Sequence, residues 1–155
     1  MSVRERITAL GLALPETPSP KGDYVPVTIH AGVAYVSGQV CRVGEGVISG
    51  PVTDQTPPQQ VLHAGHTCAL RALSVLDQAV GLENIERILF VRGFVYGGEG
   101  FQGFSKVVDG ASQVLIDVFG ERGRHARSAV GVAGLPSGGL LELEVVAAIK
   151  QTPHL

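Results

Sequence analysis

Two apolar β-strands are predicted near the end of the chain, in HARSAVGVAGLPSGGLLELEVVAAI (residues 125–149). A Pro-Ser-Gly-Gly turn separates them, so the sequence predicts that they pair as a hairpin. In the second strand leucine and valine side chains point to one face, while Glu142 and Glu144 point to the other. Together with Arg127 in the first strand, three charges therefore lie in strands that otherwise belong to a core.

The remaining elements complete the order ββαβαββ. Alternating β-formers predict a first hairpin over residues 25–40, and branched and aromatic residues predict a strand over 85–98. Apolar residues at three-and-four spacing predict helices over 56–81 and 104–120. This order is typical of an α+β fold in which two helices lie on one face of a mixed sheet. With 155 residues, we expect a single domain over 1–155.

The predicted sheet has more apolar surface than two helices can cover. The last strand and the strand over 85–98 are apolar on both sides, and only 17% of all residues are charged, against about a quarter in an average protein. An apolar sheet face left in water would be a patch of the size that marks an interaction surface. The sequence therefore predicts a homo-oligomer in which sheets pack together.

Composition argues against several classes of partner. A net charge of -2 and a pI near 6.2 provide no field that would attract nucleic acid. The N-terminal MSVRERITAL has no apolar leader, and no run reaches the roughly 18 apolar residues of a membrane span. Cys41 and Cys68 are too few and too isolated for a disulfide framework. We expect a cytoplasmic protein with reduced thiols that binds neither nucleic acid nor membrane.

Neither a cofactor nor a metal is expected. Gly98, Gly100 and Gly103 have the spacing of a dinucleotide-binding turn, but the following strand lacks the acidic residue that such a site requires. His63 and His66 are three residues apart on the first long helix, without a third ligand at a suitable spacing.

The charges in the last two strands allow two interpretations. Burying an unpaired carboxylate costs several kcal/mol, so each charge needs a partner or water. Arg127 could form an internal salt bridge with one of the two glutamates, or the charges could be exposed at strand ends. Alternatively, Arg127 could bind a ligand carboxylate in a cleft at a subunit boundary, where Glu142 positions a water molecule. From the residues alone the structural interpretation is favoured, because structural ion pairs outnumber catalytic ones.

A resemblance favours the second interpretation. GRHARSAVGVAGLPSGGLLELEVVAAI resembles the C-terminal signature of the reactive intermediate deaminase family, the imine and enamine deaminases also called L-PSP endoribonucleases. Its most specific parts are A-R-S, L-P and E-x-E at the family's spacing. YVSGQV (residues 35–40), both helices and the strand order match as well, so the resemblance covers the chain from about Tyr24 onward. It implies a chorismate-mutase-like fold and a homotrimer with three clefts between subunits.

The resemblance also implies an activity and its residues. Arg127 matches the arginine that binds the substrate carboxylate, and Glu142 matches the glutamate proposed to order the attacking water. Tyr24 and Ser37 match a tyrosine and a serine that line the same cleft. The implied reaction is cofactor-free hydrolysis of a 2-imino acid, or of its enamine tautomer, to a 2-keto acid and ammonium. Taken as isolated hydroxyls, Tyr24 and Ser37 are expected more often to be simply hydrogen-bonded within the fold than to belong to a site.

The sequence departs from the family pattern at two positions. Ala129 stands where many members have cysteine, and Asp109 stands where many have asparagine in the second helix. These differences point to a divergent branch and leave an alternative: a non-catalytic protein that binds small carboxylates, or an interaction protein, on the same trimeric scaffold. Ribonuclease activity, the family's older description, is disfavoured by the acidic charge balance.

Overall fold

The computed structural model describes residues 1–151. The α-helices are α1 (Val3–Ala9), α2 (Pro58–Val80) and α3 (Phe104–Phe119). The strands are β1 (Val27–His30), β2 (Val33–Val40), β3 (Arg42–Val43), β4 (Gly46–Val47), β5 (Ile85–Tyr96), β6 (Ala126–Val132) and β7 (Leu141–Ile149). Short 3₁₀ turns cover Leu82–Asn84, Gly120–Gly123 and Pro136–Gly138. Across these residues, no helix combines the length and hydrophobicity that crossing a bilayer demands.

Five strands form one mixed sheet in the order β1-β2-β7-β5-β6. β5 and β6 are parallel, whereas the other neighbours are antiparallel. The predicted α+β class and the order ββαβαββ are confirmed. The structure adds α1 and a small β3–β4 hairpin.

The predicted pairing of the last two strands is wrong. β6 and β7 do not form a hairpin, because β5 lies between them. The difference follows from burial: β7 has one fully buried face and one half-buried face and occupies the centre of the sheet, whereas β6 alternates between exposed and half-buried residues and forms an edge. The Pro-Ser-Gly-Gly segment is therefore a crossover connection that spans one strand.

One face of the sheet carries the core. α2 packs on β2 and β7, α3 packs on β5 and β6, and the two helices pack on each other. Leu141, Leu143 and Val145 are fully buried under the helices. Glu142 and Glu144 alternate with them and point to the opposite face, as predicted. That opposite face carries exposed apolar side chains, and both Tyr35 (51% exposed) and Val130 (43% exposed) belong to it.

The two long helices approach each other most closely at Gly65. A Cβ atom there would lie 2.8 Å from the backbone nitrogen of Ala111 and 3.0 Å from the carbonyl carbon of Gly110, both in α3. Because both atoms belong to the backbone, no side chain can move aside to make room. Close packing of α2 on α3 therefore depends on glycine at this position.

Gly65→Ala is expected to destabilise the fold by about 2–3 kcal/mol, because forcing the helices apart outweighs the roughly 1 kcal/mol that alanine contributes to helix propensity. Urea unfolding followed by circular dichroism measures the change. Gly46→Ala is the control, since its nearest atom outside the chain neighbours is 3.7 Å away. Equal midpoints for wild type and Gly65→Ala would contradict this packing.

Candidate functional site

Arg127 lies on β6 and points to the helix-covered face, where α3 surrounds it. Its Nη1 donates to Asp109 Oδ1 (2.9 Å) and Ser112 Oγ (3.1 Å). Its Nη2 donates to the carbonyl oxygen (3.1 Å) and to Oγ (2.7 Å) of Ser105. The four terminal N–H groups of the guanidinium therefore each have an acceptor within the subunit. Asp109 is the partner acid, and 65% of its side chain is exposed against 18% for Arg127.

His125 supports this arrangement from the other side of Ser112. The carbonyl of Gly123 lies 2.6 Å from His125 Nδ1, so Nδ1 carries the hydrogen and Nε2 accepts from the Ser112 hydroxyl at 2.9 Å. Burial lowers the pKa of His125, the hydrogen bond to Gly123 opposes this shift, and the Arg127 charge adds to it. The neutral ring thus orients Ser112 so that its oxygen accepts from Arg127. A surface depression of about 270 Å³ lies beside these groups.

Glu142 lies on the opposite face of the sheet, in the central strand β7. Its carboxylate sits over Gly38 of β2, where a Cβ atom would overlap it. Burial raises the pKa of Glu142, the neighbouring Glu144 raises it further, and Arg42 opposes the shift. In residues 1–151 Glu142 forms no ion pair, in contrast to Glu144, which pairs with Arg92 at 3.3 Å.

A cavity of about 240 Å³ opens in front of this carboxylate. The loop over residues 18–26 forms one wall, and the end of β2 forms another. The charged or hydroxyl-bearing side chains that line it are Ser19, Lys21, Tyr24, Arg42, Arg71 and Glu142. The structure thus places Tyr24 and Glu142 at the same cavity. The Ser37 hydroxyl donates to the carbonyl of Val25 at 2.7 Å, which agrees with a structural role for this serine.

Arg42 and Arg71 are residues of this cavity that the sequence did not predict. Arg71 lies in α2, in the polar stripe of an amphipathic helix, where a solvated side chain is the ordinary expectation. Its Nε is nevertheless buried, and has no hydrogen-bond partner among the described residues. Arg42 donates from Nη1 to Ser137 Oγ at 3.1 Å. Arg42 lies in a short hairpin and Arg71 in a helix, so no sequence spacing could predict that they line the same cavity.

Arg127 and Glu142 cannot reach one small ligand within a single subunit. Arg127 is in register with Val91 and Val145, whose side chains face the helices. Glu142 is in register with Phe94 and points the other way. The two residues are two strands and three positions apart, which is about 10 Å across the sheet and about 10 Å along it. The predicted alternative of a salt bridge between Arg127 and one of the glutamates is also wrong, because Asp109 takes that place.

Comparison with known proteins gives consistent matches over the whole fold. A family model described as "YjgF/chorismate mutase-like, putative endoribonuclease" matches residues 4–149. Protein TCP17 of Trypanosoma cruzi is 34% identical over 152 residues, which cover 96% of this chain and 94% of TCP17.

Two solved structures have nearly the same backbone. Atu1372 of Agrobacterium tumefaciens, a protein described as of unknown function, has a TM-score of 0.87 at 32% identity, covering 96% of this chain and 92% of its own. A "putative endoribonuclease" of Shewanella oneidensis has a TM-score of 0.89 at 28% identity, covering 96% and 99%. Both matches therefore extend over nearly the whole of this chain.

Proposed function

The chain belongs to the YjgF/chorismate mutase-like family, and from that premise we propose that it hydrolyses a 2-imino acid, or its enamine tautomer, to a 2-keto acid and ammonium. The observation that carries the proposal is the Glu142 carboxylate, which faces a small cavity, has a raised pKa and forms no ion pair in the described part of the chain. A carboxylate of this kind is suited to accept a proton from water. Neither a metal nor a cofactor takes part in this proposal.

The site is completed between subunits of a homotrimer. Arg127 and Glu142 point to opposite faces of one sheet, so a ligand that contacts both must lie between two copies of the chain. The exposed apolar face with Tyr35 and Val130 gives the copies a surface on which to pack. Both features support a cleft in which one subunit supplies Glu142 and Tyr24 and its neighbour supplies Arg127.

Arg127 binds the substrate carboxylate in exchange for Asp109. The Asp109 side chain is largely exposed, so its pairing with Arg127 contributes at most about 1 kcal/mol. A ligand carboxylate in a cleft screened from water gains more from the same guanidinium, because its hydrogen bonds are charge-assisted. Ser105 and Ser112 then keep the guanidinium plane in place while the acid moves away.

The reaction needs one proton carrier and two steps. Glu142 accepts a proton from water as the oxygen bonds to the imine carbon, the C=N π electrons move to nitrogen, and Glu142 passes the proton to this nitrogen. In the second step Glu142 accepts the hydroxyl proton of the carbinolamine as the C=O bond forms and the C–N bond breaks, and it passes this proton to the leaving nitrogen. The carboxylate is thus regenerated after each step, and the released ammonia takes up a solvent proton to become ammonium. Positioning and acid–base help are sufficient for an electrophile as reactive as an imine.

The direct test supplies imino acids generated in situ by an amino-acid oxidase. Wild-type protein is expected to accelerate ammonium release above the spontaneous rate and to reduce the amount of imine that semicarbazide traps. An alternative function is favoured by the departures from the family pattern at Ala129 and Asp109: a receptor for small carboxylates without turnover. Keto-acid binding without accelerated release would establish the receptor and overturn the deaminase. Cleavage of RNA under the same conditions would instead favour the endoribonuclease activity after which the family is described.

A further inference from the structure

Arg42 and Arg71 form a cationic pair at the Glu142 cavity. Both side chains line the cavity, and both also line a neighbouring depression of about 490 Å³. Burial lowers the pKa of Arg71, the neighbouring Cys68 opposes this shift, and the charge of Arg42 adds to it, so the two guanidinium groups are close enough to interact. Like charges are thus held together beside a cavity that is small enough to enclose a metabolite.

No carboxylate of the described residues forms an ion pair with either arginine. Among the same residues, the buried Nε of Arg71 has no acceptor. Lys21 is a third cationic side chain in the lining of the cavity, whereas Glu142 is its acidic side chain. Glu16 lines the neighbouring depression. Two like charges without an ion-pair partner cost free energy, which an anion bound between them would recover.

We propose that Arg42 and Arg71 bind a second anionic group of the ligand, so that the substrates are imino acids with two carboxylates. This inference rests on the proposed function for the reaction but concerns the recognition of the ligand. Arg127 of one subunit holds the carboxylate next to the imine carbon. Arg42 and Arg71 of the other subunit hold the distal carboxylate, on the same side of the cleft as Glu142. A planar guanidinium matches a carboxylate better than an ammonium group does, because it donates two parallel hydrogen bonds.

The size and charge of the cavity agree with this assignment. The part of the cleft that one subunit forms, about 240 Å³, is large enough for the distal carboxylate arm of such an acid. A monocarboxylate of the same length would leave Arg71 without an acceptor. A site with buried polar groups strongly rejects a ligand that lacks the matching polar group, because its own groups are then left unpaired. An apolar pocket discriminates less strongly against a ligand that carries an additional hydroxyl group.

Keto acids test this proposal without requiring turnover. Isothermal titration compares 2-oxoglutarate with the monocarboxylate 2-oxopentanoate, which has the same number of carbons. Wild type is expected to bind the dicarboxylate at least about tenfold more tightly, the effect of one charge-assisted hydrogen-bond pair. In Arg71→Gln the ratio of the two dissociation constants is expected to fall below about threefold, whereas Arg71→Lys keeps part of the preference. Arg4→Gln is the control, since Arg4 lies on α1 and pairs with Asp77.

The outcomes separate this inference from the proposed reaction. Equal affinities for the two keto acids in wild type, or an unchanged ratio in Arg71→Gln, would overturn the dicarboxylate assignment even if ammonium release were fast. A large ratio of the two dissociation constants in wild type, lost in Arg71→Gln, would support the dicarboxylate assignment even if no imine were hydrolysed. If Arg71→Gln fails to fold, Arg42→Gln decides the question, because Arg42 lies in the short strand β3 at the surface of the same cavity.

Discussion

Glu142→Gln is expected to lower the rate of imine hydrolysis by about 100- to 1,000-fold, the range over which a positioned acid–base group contributes to catalysis. Glutamine keeps the size and hydrogen-bonding shape of the side chain but cannot accept the proton of the attacking water. Ammonium release from oxidase-generated imino acids measures the loss, and titration with a keto acid shows whether binding persists. A rate within about threefold of wild type would exclude Glu142 as the base.

The pH dependence should identify the same group. Because folding raises the pKa of Glu142 above its ordinary value of 4.5, the rate is expected to fall as the pH drops through this raised pKa, where the carboxylate becomes protonated. Stability changes in the opposite sense: the folded state holds this proton more tightly, so ionisation of Glu142 costs stability as pH rises from the unfolded to the folded pKa. Glu142→Gln removes that cost and should be at least as stable as wild type at neutral pH. A lower rate of hydrolysis in Glu142→Gln would therefore not be caused by unfolding.

Arg127→Ala is expected to weaken the binding of keto acids by about 10- to 100-fold, because the carboxylate loses charge-assisted hydrogen bonds in a screened cleft. Asp109→Asn should act in the opposite direction. It removes the charge that competes with the ligand for the guanidinium, while an amide oxygen can still accept from Nη1. We expect several-fold tighter binding from this substitution, measured by the same titration.

Two comparisons show whether these effects concern the ligand or only the fold. Arg4→Ala removes an arginine that pairs with Asp77 on α2, and it should leave keto-acid affinity unchanged. Thermal unfolding of each variant establishes that the native state is intact. If Arg127→Ala and Arg4→Ala bind equally well, the guanidinium of Arg127 is a purely structural ion pair with Asp109.

The sequence could predict the elements of the fold because their patterns are local. Alternation in β7 identified the face of Glu142, and three-and-four spacing identified both long helices. The pairing of β6 with β7 was wrong because a turn signal describes only the backbone between two strands. The central strands of a sheet are those that are buried on both faces. The position of β7 also depends on β5, which inserts between β6 and β7 although it lies far away in the chain.

Site residues could be proposed only where a family motif covers them. Arg127, Glu142 and Tyr24 were proposed through the resemblance, and in the structure Tyr24 and Glu142 line the same cavity. The engagement of Arg127 with Asp109 depends on how α3 packs against β6, which no spacing in the sequence specifies. Arg71 was missed for a related reason. An arginine on a helix lines a cavity only if another segment packs beside it, here the loop over residues 18–26.

The central claim, that each site takes Arg127 from one subunit and Glu142 from another, is tested most directly by mixing two inactive variants. Arg127→Ala and Glu142→Gln are unfolded together in equal amounts, refolded by dilution, and assayed for ammonium release beside each variant alone. A site is complete only when the intact arginine and the intact glutamate come from different variants, which random assembly produces at about one site in four. We predict recovery of about a quarter of the activity of refolded wild type. No recovery, although mass spectrometry detects mixed oligomers, would contradict a site shared between subunits.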